Sequence, residues 1–175
     1  QTLALLLSLK EKRDIISETP ADGDIQTIGH TSLIIVPTSL VHNWIQELLR
    51  FTPNLTYYSH TGSTRSKIIT DIVKHDVVIT TYGVARNDID LIKEIRFKYL
   101  ILDESQTIKN PQSKIYRSVL LLKASNYLTI SGTPIENSLS DLWAQLNFLN
   151  RGMLGSIKSF NDEFIQPIEK NNDTQ

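Results

Sequence analysis

Apolar positions in this chain come in two patterns that take turns: short continuous runs, and longer stretches spaced by three or four residues. Continuous runs mark strands buried on both faces, and 3.6-residue spacing marks helices with one apolar face. Leu3 to Leu9 predicts the apolar part of a first helix that runs into Lys10-Glu-Lys-Arg13, and residues 17–31 predict a polar surface loop. Ser32 to Val36 predicts a strand stopped by Pro37. Ser39 stands where the N-cap of the next helix belongs, and Leu40, Val41, Trp44, Ile45, Leu48 and Leu49 form that helix's apolar face. The pattern continues with a strand at Leu55–Ser59, a helix at Thr64–His75, a strand at Val77–Thr81 and an irregular helix at Val84–Ile95. A strand over 98–103 then ends on the adjacent carboxylates Asp103 and Glu104. A helix from Pro111 to about Lys123 and a strand at Asn126–Ile130 follow, the strand ending in Ser131-Gly132-Thr133-Pro134. Leu139–Leu149 predicts a helix with Trp143, Leu146 and Leu149 inward, and beyond Gly155 the signal weakens into a frayed tail.

This alternation implies a three-layer α/β fold around a mostly parallel sheet, with right-handed crossovers. In such a sheet, ligands gather at the carboxyl ends of the strands. Four notable loops leave those ends: Pro37-Thr38-Ser39, Thr80-Thr81-Tyr82-Gly83, Asp103 to Gln106, and Ser131 to Pro134. Two acids at a strand end can hold magnesium and orient a water against a phosphate, which points to nucleotide hydrolysis.

Bulk properties narrow the picture only modestly. The 175 residues suffice for one domain with a sizeable core, and 40% hydrophobic with 21% charged residues is ordinary for a globular protein. A net charge of −1 gives no global electrostatic footprint for nucleic acid, so any such surface must be local. With no cysteine there are no disulfides or thiolate metal sites, and a cytoplasmic location is the expectation. No apolar run reaches the ~18 residues of a membrane span, and the apolar residues 1–9 lack the basic leader and cleavage site of a signal peptide. His30, His42, His60 and His75 show no zinc-ligand spacing.

Each motif also has a plainer reading. Asp-Glu after a strand can be a solvated loop start, Ser-Gly-Thr-Pro a simple turn, and Thr38 and Ser39 only helix caps. Trp44 and Trp143 fall on apolar helix faces, where core packing is the expectation. The cations Lys93, Arg96, Lys98, Lys109, Lys114, Arg117 and Lys123 form either a basic face or a solvated one.

Order and spacing add weight. Leu33-Ile-Ile-Val-Pro-Thr-Ser-Leu-Val-His-Asn-Trp44, Asp76-Val-Val-Ile-Thr-Thr-Tyr-Gly83, Leu100-Ile-Leu-Asp-Glu-Ser-Gln-Thr-Ile-Lys-Asn-Pro111, Leu128-Thr-Ile-Ser-Gly-Thr-Pro-Ile-Glu-Asn137 and Asp141-Leu-Trp-Ala-Gln-Leu-Asn-Phe-Leu149 follow one another. Together they closely resemble the first RecA-like lobe of the Swi/Snf family of helicase-like, ATP-driven double-stranded DNA translocases, its bacterial members most of all. The resemblance covers residues 1–167, leaving 168–175 as tail. It implies a RecA-like (P-loop NTPase-type) domain using ATP and Mg²⁺. Asp103 would hold magnesium through water, and Glu104 would orient or deprotonate the attacking water. Gln106 with Ser131, Gly132 and Thr133 would sense the γ-phosphate. Thr38, Ser39, Thr80 and Thr81 would grip phosphates of double-stranded DNA without reading bases. Ser105 stands where the family usually has alanine or glycine, and Ser131 where threonine is common.

In the family a Gly-rich phosphate loop ending Gly-Lys-Thr lies just before the segment that begins Gln1-Thr2-Leu3, and no lysine within these 175 residues follows such a pattern. The adenine-recognition segment, the second RecA-like lobe and its arginine finger also lie outside the sequence. The strand of the phosphate loop would flank the one ending at Ser131, so Tyr127–Ile130 is expected to be an open edge able to pair with another chain. Two functions remain: a lobe of an ATP-dependent DNA translocase, or a non-hydrolytic nucleic-acid- or protein-binding module derived from one. The intact Asp103-Glu104 pair favours the first. An arginine finger alone contributes about 10³–10⁵ in rate, so the isolated 175-residue chain is predicted to show no measurable ATPase activity. DNA-stimulated phosphate release that Glu104→Gln removes would refute this.

Overall fold

The computed structural model describes residues 1–17, 29–132 and 139–168, with side chains 15–17 excepted. Five strands form one sheet: β1 Ser32–Val36, β2 Tyr57–His60, β3 Val77–Thr81, β4 Arg96–Asp103 and β5 Lys123–Ile130, in the order β2-β3-β1-β4-β5. Every pairing is parallel. The α-helices before, between and after them are α1 Thr2–Ser17, α2 Val41–Phe51, α3 Ile69–Ile72, α4 Tyr82–Asn87, α5 Ile89–Ile92, α6 Lys114–Leu121, α7 Leu139–Leu149 and α8 Ile157–Phe160.

Strand side chains alternate between two cores, as the pleat requires. Ile34, Val36, Val77, Ile79 and Ile101 pack with Leu3 and Leu6 of α1 and Leu48 of α2. Leu33, Ile35, Val78, Leu100 and Leu102 face the other way, against Ala85, Ile92, Tyr116, Trp143 and Phe148 from α4 to α7. Two helix layers thus cover the sheet, the expected three-layer arrangement. The outer edge of β5 has no partner among the described residues.

Several boundaries depart from the sequence pattern for local reasons. Ser39 caps no helix: Thr38–Leu40 form a 3₁₀ turn, and α2 starts at Val41 with no side-chain cap. The predicted helix 64–75 shrinks to the four residues of α3, because the Ser66 amide is taken by the Tyr58 hydroxyl at 2.7 Å and the Ser66 hydroxyl by Asp71. The strand expected at 55–59 begins only at Tyr57, since Leu55 closes a turn on the Thr52 carbonyl. The helix expected at 84–95 breaks between α4 and α5 at Asp88, whose carboxylate is drawn to Arg65 (Nε–Oδ2 2.5 Å, Nη2–Oδ1 2.9 Å) and to His60 Nε2 at 3.0 Å. Ser113, not Pro111, opens α6, accepting from the Tyr116 amide. Most of the loop expected at 17–31 and of the 168–175 tail, like Thr133 and Pro134, lies outside the described residues.

The amino-terminal rim of the sheet is tied by one buried carboxylate. Asp76 accepts from Lys10 Nζ at 2.9 Å and from the Thr56 amide and hydroxyl at 2.9 and 2.8 Å, and it pairs with Arg13 at 3.0 Å. Burial pushes its pKa up, but Lys10, Thr56 and Arg13 together pull it down to about 2. A depressed folded-state pKa means the group stabilises above the unfolded value and that this contribution disappears as pH falls from about 4 toward 2. Asp76→Ala is therefore expected to cost about 3 kcal/mol at pH 7, with the gap to wild type closing below pH 3 in denaturant titrations.

Candidate active site

All the strands point the same way, so Val36, His60, Thr81, Asp103 and Ile130 emerge on one rim. The chain leaves β1 toward one edge of the sheet and β4 toward the other, which makes the β1/β4 crevice the topological switch point where α/β sheets bind ligands. Asp103 sits at that crevice.

Each oxygen of the Asp103 carboxylate has a fixed donor. The Trp44 indole Nε1–H donates to Oδ2 at 2.7 Å, and the Glu104 amide to Oδ1 at 3.0 Å. The Tyr82 hydroxyl donates to the Asp103 main-chain carbonyl at 2.7 Å. Burial, then the charges of Asp103 and Glu104, raise the Tyr82 pKa, which keeps that phenol a donor. Trp44, expected only to pack, packs and also orients an acid; the signal was available, because an indole N–H on a buried face needs an acceptor.

Glu104 is the one non-glycine residue with positive φ among the described residues (φ 49, ψ 55). This left-handed turn ends β4 and starts the 3₁₀ segment Ser105–Ile108. Gln106 Nε2 donates to Glu104 Oε2 at 2.6 Å, and Gln106 Oε1 accepts from Ser131 Oγ at 3.1 Å. Gln106 therefore bridges the acid to the loop after β5. Ser105 is fully buried and donates to Gln145 Oε1 at 2.7 Å, anchoring this segment to α7; sequence pattern gave Gln145 no role. Gly132 follows Ser131 on the same rim, exposed to solvent.

Beside Asp103 lies a cleft of about 630 Å³, lined mainly by apolar groups that include Leu3, Leu40, Trp44, Phe51 and Ile130. That volume lies within the ~300–1,000 Å³ typical of small-molecule sites. No group of three His, Cys, Asp or Glu side chains clusters among the described residues. The donor set here is one oriented carboxylate with a second acid beside it. This fits magnesium, which binds through one or two carboxylates and completes its shell with waters and substrate phosphates.

The hydroxyl-bearing loops differ in what they offer. Thr38 and Ser39 are exposed. Thr81 is nearly buried, and its hydroxyl accepts from the Val84 amide at 3.2 Å, capping α4. Thr80 is fully buried and its hydroxyl donates to the His60 carbonyl at 2.8 Å, so that group is committed to the sheet. Burial lowers the His60 pKa against the pull of Asp88, leaving a neutral ring whose Nε2–H donates to Asp88. This Arg65–Asp88–His60 cluster at the rim had no sequence signal.

Left-handed geometry costs a side-chain-bearing residue roughly 1–2 kcal/mol relative to glycine. Glu104→Gly is expected to be more stable than Glu104→Ala by about 1 kcal/mol, read from thermal or urea unfolding. Equal stabilities would mean that the turn relaxes once the acid is gone.

Comparison with known proteins fits this geometry. The family model described as SNF2-related domain matches residues 1–175. TATA-binding protein-associated factor mot1 of Schizosaccharomyces pombe is 38% identical over 177 residues, covering 100% of this chain and 9% of that protein. The Bacillus subtilis protein YwqA, provisionally named an ATP-dependent helicase/translocase, is 40% identical over 145 residues, covering 81% of this chain and 16% of that protein. The chain thus spans less than a fifth of either relative, and these identities do not single out the bacterial members. Among solved structures, the Sulfolobus solfataricus SWI2/SNF2 ATPase core in complex with dsDNA superposes with a TM-score of 0.75 at 39% identity, covering 90% of this chain and 31% of that one. Matched from end to end by that family model, and sharing sequence and fold with these relatives, the chain belongs to the SNF2-related domain family.

Proposed function

We propose that this chain is the first RecA-like lobe of a protein that hydrolyses ATP to move along double-stranded DNA. The observation that carries the proposal is the chain of contacts Asp103–Glu104–Gln106–Ser131 at the switch-point crevice. Names of relatives support it, through the helicase/translocase YwqA and the ATPase core bound to dsDNA.

In this reading Asp103 holds a magnesium ion, which supplies charge neutralisation to the phosphates. Glu104 accepts a proton from the attacking water. Gln106 senses the γ-phosphate by exchanging its bonds to Glu104 and Ser131, and Gly132 and Thr133 complete that sensor. Thr38, Ser39 and Thr81 contact DNA phosphates, the first two freely and Thr81 from its capping position; Thr80 supports them from inside the sheet. A second lobe completes the site from the other side. The alternative of a non-hydrolytic binding module is disfavoured by the oriented acid pair, since phosphate gripping makes no use of a carboxylate fixed at both oxygens.

In the full-length protein, Glu104→Gln is expected to lower DNA-stimulated ATP hydrolysis by about 10²–10⁴ while duplex binding persists. Thr38→Ala with Ser39→Ala should weaken duplex binding equally for all sequences and leave its salt dependence unchanged, since a neutral hydroxyl displaces no counterion. Hydrolysis that survives Glu104→Gln sinks the enzymatic reading; unchanged duplex affinity in the double variant sinks the DNA face.

A further inference from the structure

Two donors that neither hydrolysis nor phosphate gripping employs converge on Asp103. One is the Trp44 indole on the side-chain oxygen Oδ2, the other the Tyr82 phenol on the main-chain carbonyl, both at 2.7 Å. Their positions in the chain are informative. Trp44 rides on α2, the helix that the exposed Thr38–Leu40 turn leads directly into. Tyr82 immediately follows Thr81 and is the first residue of α4. Each donor therefore shares a short rigid element with one of the loops assigned above to DNA.

Each donor packs with the element that carries it. Trp44 is partly buried against the core that holds Leu48 and Ile34. Tyr82 is 5% exposed and packs in the opposite core. The two bonds thus approach Asp103 from opposite layers of the sheet. A shift of α2 turns or frees Oδ2, and a shift of α4 pulls on the peptide that joins Asp103 to the left-handed Glu104. The site is wired to both loops through single hydrogen bonds of good geometry.

We propose that Trp44 and Tyr82 are positioning residues that transmit DNA contact to the magnesium-holding carboxylate, coupling duplex binding to binding of the magnesium–nucleotide complex. This rests on the function proposed above and adds the route by which DNA acts on the acid pair. Coupling of this kind is reciprocal: whatever factor DNA applies to nucleotide affinity, nucleotide applies to DNA affinity.

The test uses the full-length protein and the anisotropy of a fluorescein-labelled duplex, measured without nucleotide and with Mg²⁺ plus a non-hydrolysable ATP analogue. Wild type is expected to show a ratio of the two duplex Kd values in the ~5–150-fold range usual for such coupling. Tyr82→Phe keeps its ring and Trp44→Phe keeps an aromatic group in place of the indole; each loses one donor and should cut the ratio by about threefold or more, the equilibrium worth of one hydrogen bond. A purely structural role would lower Tm, or both affinities together, and leave the ratio alone. A ratio retained in both variants, or a wild type that binds duplex with no coupling, overturns the inference. Should either variant fail to fold, the wild type labelled with ¹⁵N-tryptophan carries the test: the Trp44 indole resonance should shift with the Mg²⁺–analogue complex and again with duplex. A resonance unmoved by both overturns the inference as well. A wild type that binds no duplex under any condition instead refutes the proposed function itself.

Discussion

Register between β1 and β4 is the constraint on which the rest of the rim depends. Leu33, Ile34 and Ile35 lie opposite Leu100, Ile101 and Leu102, and β5 holds the other side of β4 as far as Asp103 opposite Ile130. Side chains alternate strictly along a strand, so Asp103 shares a face with Ile101 and looks toward the layer of α1 and α2. That parity is why an indole on α2 can reach its carboxylate. A slip of one residue would present Asp103 to the other helix layer and bury a charge among Tyr116, Trp143 and Phe148. Burial on both faces makes such a slip prohibitive, so the core decides which layer the acid faces and the Trp44 and Tyr82 bonds orient it there.

The turn at Glu104 complements this placement. A regular continuation of β4 would send successive side chains to opposite faces and separate the two acids. The left-handed backbone at Glu104 breaks the alternation, and the 3₁₀ segment behind it brings Gln106 back within 2.6 Å of the Glu104 carboxylate. Backbone strain of this sort persists only where surroundings over-determine it. Here the fastening is the buried Ser105–Gln145 bond and the Thr107 hydroxyl on the Glu104 carbonyl at 2.8 Å.

How much of this was legible in sequence follows from how local each signal is. The strands at 32–36 and 77–81 and the helix at 139–149 have the bounds their apolar patterns predict, but that helix buries Trp143, Ala144, Gln145 and Phe148 where Trp143, Leu146 and Leu149 were expected inward. Ends fixed by long-range bonds were invisible. Nothing near Asp88 says that Arg65 will draw it out of a helix, and nothing near Ser66 says that Tyr58 will occupy its amide. The acid pair stood out as a candidate because strand ends in parallel sheets are a general address for chemistry, whereas Gln106 was singled out only through the family resemblance. Trp44 and Tyr82 were not assigned to the site, because an apolar face and a hydrogen-bond donor can belong to one residue, and periodicity reports only the first. Thr80 shows the converse: a hydroxyl in a promising loop position can already be committed to its own sheet.

The Asp76 cluster binds α1 to the sheet at the end of the strands farthest from Asp103. The candidate chemistry and this clasp thus lie at opposite poles of the same five strands. Loops at the carboxyl pole can be lengthened, recharged or refitted to a new partner without loosening the clasp that keeps the strands together.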